Sequence, residues 1–347
     1  MRAKRFVISS FVLALVAFVF VAGVTVYIDP FFHYHAPIEG LEYVLNDQRY
    51  QNNGILRHFE YDAIITGSSM TENFKTSELD AVFGTNSVKV SFSGSLLKET
   101  ADQLARAFES DNSIKYVIRS LDYYALVAGK DQLSDFDYPD YLYDDDPFND
   151  VKYLLNKSIL VDYSLQTLLY TRAGKKTTSF DDYSAWSNRF KYGKQEVLSK
   201  TQRPTEAEDV PPDMDEIRQN IQQNVVSLAV DNPQTEFYLF FPPYSIVKWD
   251  HWAQSGGVDN AIDVYKTVAE ELIGYENIHL FSFDTCFDII CDLDNYKDLE
   301  HYGEWINSQM LNWMYDGAYE LTEENYKAHF EEMRAFYSSY DYESIYE

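Results

Sequence analysis

YDAIITGSSM, residues 61–70, decides the fold. Its first six residues form a short β-branched run that ends at Gly67, the composition of a buried strand. Residues 71–83 then read as a helix that stops at Gly84. The pattern recurs downstream. SVKVSF at 87–92 alternates like a strand and leads into Gly94, residues 96–108 carry apolar side chains at helical spacing, and residues 115–121 form a third strand. Strands alternating with helices of this size predict an α/β fold with a mostly parallel sheet and right-handed crossovers.

Past residue 124 the alternation breaks. Residues 125–212 are rich in Tyr, Asp, Ser and Lys, with an acidic run at 135–150 and one helical candidate at 151–171. This stretch is expected to be an insertion over one end of the sheet, in the manner of a lid. Asp144, Asp145 and Asp146 lack the spaced oxygen ligands and the glycine of a calcium loop, so a solvated turn is expected there and no metal site. The rhythm resumes with a helix at 214–230, a strand at 236–241 (EFYLFF), a helix at 259–273, a strand at 278–283 and a helix at 302–313. The expected organisation is an anchor over 1–28, a juxtamembrane segment over 29–60, an α/β domain over 61–320 and an acidic helical tail over 321–347.

Residues 6–28 hold no charged side chain, and 23 residues of helix are long enough to cross a bilayer core. Arg2, Lys4 and Arg5 precede them and no basic residue follows within 29–35, which predicts a cytoplasmic N-terminus and an extracytoplasmic remainder. A cleaved signal peptide would have a shorter apolar core and a small-residue cleavage site. Beyond residue 28 the chain carries 25 basic against 56 acidic residues, a net −31. That field opposes nucleic acid and anionic headgroups. Cys286 and Cys291 fall in the segment expected outside the cell, where a short disulfide between them and two free thiols are both open readings.

In an open parallel sheet, ligands bind beyond the carboxyl ends of the strands, and four features fall at that edge. Ser68 and Ser69 follow the first strand, where a serine either caps a helix or presents its hydroxyl as a nucleophile. Of the seven histidines only His301 has an aspartate, Asp298, three residues before it, the spacing that fixes an imidazole tautomer. Gly94 after the second strand permits close backbone approach to an oxyanion. Asp122, with Tyr123 and Tyr124, ends the third strand. Tyr244, in the FPPYS loop at 241–245, and Arg49, in the donor-rich run at 48–52, either border the site or are ordinary loop residues, and the second reading is favoured.

Strand–GSS–helix, a glycine after the second strand and a closing D-x-x-H resemble the SGNH/GDSL hydrolase family across about residues 61–315. The resemblance implies a flavodoxin-like three-layer sandwich with Ser69 as nucleophile, Asp298 and His301 as acid and base, and the N–H groups of Ser69 and Gly94 as oxyanion donors. It implies no cofactor. With the anchor, the layout resembles extracytoplasmic members that move acyl groups onto envelope polymers, such as the D-alanine transfer proteins of lipoteichoic acid and the alginate O-acetylation proteins. Implied partners are a cell-envelope glycan or an acylated small molecule, and a membrane-bound O-acyltransferase. Two positions depart from the family pattern. Ser68 stands where Asp is frequent, and Asp122 stands where an Asn donor is expected, leaving Tyr123 or Tyr244 as candidate third donors.

Overall fold

Six strands, β1 (Ala63–Thr66), β2 (Ser87–Lys89), β3 (Tyr116–Ser120), β4 (Glu236–Phe241), β5 (Ile278–Ser282) and β6 (Glu320–Leu321), form one sheet in the order β2-β1-β3-β4-β5-β6. The first five are parallel, and β6 closes one edge antiparallel to β5. Ile64, Ile65, Val117, Ile118, Leu239, Phe240, Leu280 and Phe281 are all buried. Strands covered on both faces explain why they read as near-continuous apolar runs. This computed structural model describes residues 2–205 and 210–347. Residues 206–209, inside the expected insertion, lie outside the described residues.

The chain divides into two compact units, one of residues 1–59 with 136–179 and one of residues 60–135 with 180–347. The sheet lies in the second. The expected insertion over 125–212 is therefore shared out: only 136–179 joins the N-terminal segment, while 125–135, 180–205 and 210–212 belong to the sheet-bearing unit. The segment after residue 320 holds a helix, as expected, and packs on the sheet-bearing unit. It contributes β6, and its helix Tyr326–Ser339 stacks Tyr337 on Trp249 at 3.6 Å between ring centroids.

In the first unit, helix α1 (Arg2–Ile28) is long and apolar enough to cross a membrane. Its last turn is built into folded protein: Thr25 and Ile28 are buried, and Thr25 Oγ1 donates to the Leu154 carbonyl at 3.3 Å. The chain then turns sharply at Asp29, which has φ +45°. Its buried carboxylate repays that strain by accepting the N–H groups of His33, Tyr34 and His35 and the Tyr153 hydroxyl. Helix α2 (Gln48–His58) packs so closely that a Cβ on Gly54 would lie 2.1 Å from the Phe31 carbonyl. Asp144 accepts the Asp146 N–H and the Asn149 amide, as a turn residue does.

One local expectation is corrected, and of the two open readings of the cysteine pair the free thiols are the one observed. The helix expected from residue 71 begins only at Thr76 (α3, Thr76–Phe83), preceded by a 3₁₀ turn at Ser69–Thr71. Cys286 and Cys291 are both free, and the residues between them form a helical turn, Phe287–Ile290, instead of a loop drawn together by a bridge. Burial pushes the Cys286 thiol up to about 12, so it is no thiolate.

Candidate active site

Gly67 has φ +133°, and a Cβ there would fall 2.4 Å from Ser120 Oγ. Only glycine lets the chain leave β1 this tightly. The turn then assigns different tasks to its two serines. Ser68 Oγ accepts the Met70 N–H at 3.2 Å and donates to Asp122 Oδ2 at 2.8 Å, which is the capping role. Ser69 Oγ instead meets His301 Nε2 at 2.8 Å. Ser69 opens a 3₁₀ turn and α3 starts seven residues later, so the N-terminus of α3 does not begin at its hydroxyl.

His301 is reached from the loop before the helix Glu304–Asp316, 232 residues away in sequence. Its Nδ1 lies 2.9 and 3.0 Å from the two Asp298 oxygens. Nδ1 therefore carries the proton and donates, leaving Nε2 free to accept from Ser69. Asp298 Oδ1 also accepts the N–H groups of His301 at 2.8 Å and Glu300 at 3.0 Å. Burial alone would raise the Asp298 pKa. The hydrogen bond and charge of His301, with these two N–H groups, outweigh that and hold the carboxylate well below its usual range.

One side of the imidazole faces the edge of Trp186, with ring centroids 5.4 Å apart at 87°. Asn73 fixes this residue by accepting the N–H groups of Trp186 and Ser187, and the indole N–H points to the Ser69 carbonyl at 3.4 Å. Lys297 Nζ lies 4.2 Å over the Trp186 ring, 4.3 Å over Phe190 and 3.4 Å from Asp298 Oδ2. Asn307 secures the other side of the turn by donating to the Met70 carbonyl. The Gly67 carbonyl accepts the Phe92 N–H and the Ser95 hydroxyl, which ties the turn holding Gly94 (φ +67°) to the one holding Ser69.

Asp122 is fully buried behind the Ser68–Ser69 turn. Its carboxylate accepts hydroxyls from Ser68, Ser120 (2.7 Å) and Tyr244 (3.2 Å). Burial raises its pKa, and the three hydroxyls only partly oppose that. Tyr244 is consequently committed to Asp122, and the Tyr123 ring packs against Trp252 and Tyr265. Arg49 belongs to the first unit, where its guanidinium lies over the Phe136 ring.

Sequence reasoning named Ser69, His301 and Asp298, which the fold brings together, but missed Trp186, Asn73, Lys297, Ser120 and Asn307. Lys297 and Ser120 flank residues already singled out and were within reach. Trp186 lies in the irregular 180–212 stretch, where no periodicity marks a position.

No protein-family model matches the chain, and no curated protein matches it. Among solved structures it is similar to one described as "a putative platelet activating factor from Streptococcus pneumonia", at 12% identity over 78% of this chain and 89% of that one, with a TM-score of 0.40.

Proposed function

We propose that this chain is a membrane-anchored serine esterase or O-acyltransferase of the SGNH/GDSL kind, working outside the cytoplasm. Its substrate is an acyl ester of a cell-envelope glycan or an acylated small molecule. The continuous hydrogen-bonded line from Ser69 Oγ through His301 to Asp298, at the carboxyl edge of a parallel sheet, carries the proposal. The strand order 2-1-3-4-5 supports the flavodoxin-like architecture of that family.

In the first half-reaction Ser69 Oγ adds to the ester carbonyl while its proton passes to His301 Nε2. The N–H groups of Ser69 and Gly94 receive the oxyanion. The imidazolium then protonates the departing alcohol oxygen, leaving the acyl group on Ser69. In the second half, water or a sugar hydroxyl gives its proton to Nε2, attacks the acyl carbon, and Ser69 recovers its proton. Asp298 stays ionised throughout and stabilises the transient imidazolium. A membrane-bound O-acyltransferase fits as the supplier of the acyl group.

Asp122 favours a second reading, a scaffold with little turnover. An acceptor stands where a side-chain donor would complete the oxyanion hole, and one missing donor typically costs about 2.7–4 kcal/mol of transition-state stabilisation. A fluorophosphonate probe on the full-length protein separates the two. Catalysis predicts labelling of the wild type that disappears in Ser69→Ala and His301→Ala. Labelling that persists in Ser69→Ala removes this nucleophile, and a wild type that resists the probe while folded supports the scaffold.

A further inference from the structure

The helical stretch 157–172 is inside out by the standards of a soluble protein. It turns Ile159, Ser164 and Thr167 inward and leaves Val161, Leu165, Leu168 and Leu169 exposed, Leu169 at 57%. These four positions share one face, at i, i+4, i+7 and i+8. The inner side is anchored within the first unit, where Tyr163 sets its ring against Phe31 at 4.6 Å and its hydroxyl on Asp47.

Place and charge say what covers this face. Its first turns, Ile159–Ser164, pack against α1, whose last turn enters folded protein, so the exposed leucines follow directly on a segment that touches the apolar helix. Across residues 151–179 the chain carries Lys152, Lys157, Arg172, Lys175 and Lys176 against a single acid, Asp162, and all five basic residues are exposed. This is a local reversal in a chain of net charge −28. The acidic run before it ends at Asp150, whose carboxylate is turned onto His33 and Tyr34. Leucines on one face with lysine and arginine at both ends are the composition of a helix lying in a membrane interface.

We infer that residues 157–172 form a second membrane contact, a helix that lies in the interface of the leaflet where α1 emerges and binds anionic phospholipid headgroups through Lys157, Arg172, Lys175 and Lys176. The whole-chain charge conceals this patch because its acidic residues lie elsewhere in sequence.

The test uses full-length protein in vesicles of phosphatidylcholine, with or without phosphatidylglycerol. In a Cys286→Ser/Cys291→Ser background, an environment-sensitive dye is placed at Leu168→Cys or at Val230→Cys, an exposed apolar position of the second unit. The expected result is a blue-shifted Leu168 signal quenched by nitroxide on lipid acyl chains, with no such change at Val230. Replacing the four basic residues by Glu is expected to weaken that quenching, as is high salt. A Leu168 signal as water-like as that of Val230 overturns the proposal. So does self-quenching that vanishes when the protein is diluted in lipid, because the face then meets a second copy. Hydrogen exchange of the unaltered chain provides a label-free check: exchange across 157–172 should be slower with phosphatidylglycerol present, and equal exchange counts against the contact.

Discussion

Asp298 Oδ1 accepts three hydrogen bonds at once, from His301 Nδ1, His301 N and Glu300 N, and this crowding makes it an orienting group. An amide in its place would turn an N–H toward Nδ1 or force the other tautomer. Asp298→Asn is therefore expected to slow fluorophosphonate labelling by about 10³–10⁴-fold, with thermal unfolding close to wild type. A loss of labelling matched by a collapse in melting temperature would instead make Asp298 a structural support. The pair Asp298–His301 was legible because one spacing within a single loop carries its chemistry. Trp186 was not, since its position depends on Asn73 and the Ser69 carbonyl, more than a hundred residues away. The two serines were legible as a pair only. Their division of labour depends on Asp122 and His301, and neither is local to the turn.

Lys89 explains why the helix after Ser69 starts late. The side chain is buried in β2, and its ammonium donates to the carbonyls of Glu72, Phe74 and Asp181. Carbonyls 72 and 74 would be acceptors within the first turns of a helix begun at residue 71, and Lys89 engages them instead. The same group ties the stretch after Ser69 to the segment leading to Trp186. Lys89→Met leaves three carbonyls, two of them buried, without this donor, and melting should reveal a loss of about 2–4 kcal/mol. Labelling of Ser69 should fall as well, because the indole that borders His301 loses a support. Helical periodicity could not report this, since Thr71, Phe74 and Leu79 fit a helix whether or not a lysine from a strand intervenes. Apolar strands β1, β3, β4 and β5 appeared near their expected places because each is buried on both faces, where composition and burial agree.

Across the whole molecule, two buried ionisable groups oppose each other in acid. Burial lowers His329 to about 4 and raises Asp284 to about 7, and the Ser282 hydroxyl lies between them, 2.8 Å from His329 and 3.1 Å from Asp284. Between pH 4 and 6.5 the unfolded chain binds the extra proton at His329, so this group loses stability as pH falls. The folded chain binds the extra proton at Asp284, so that group gains stability over the same window. In wild type the two slopes largely cancel. Asp284→Asn leaves the His329 slope alone, and stability should then drop on acidification from pH 6.5 to 4, by up to about 3 kcal/mol. A variant whose melting temperature follows pH as the wild type does would refute the pairing. Chain organisation was the least legible scale. Composition marked 125–212 as one irregular stretch, but which part returns to the N-terminal unit depends on packing against Phe31, Tyr34 and Tyr50.

That nested path has a consequence for how the protein is made. The N-terminal unit needs residues 136–179, yet β1, β2 and β3 emerge from the ribosome first, while β4 and β5 complete the sheet only after residue 235. Three parallel strands must therefore wait, with one flank of β3 unpaired, while an earlier piece of chain folds around a later one. Synthesis rate across 136–235, and chaperones acting during that interval, should govern the yield of native protein more than the final stability does.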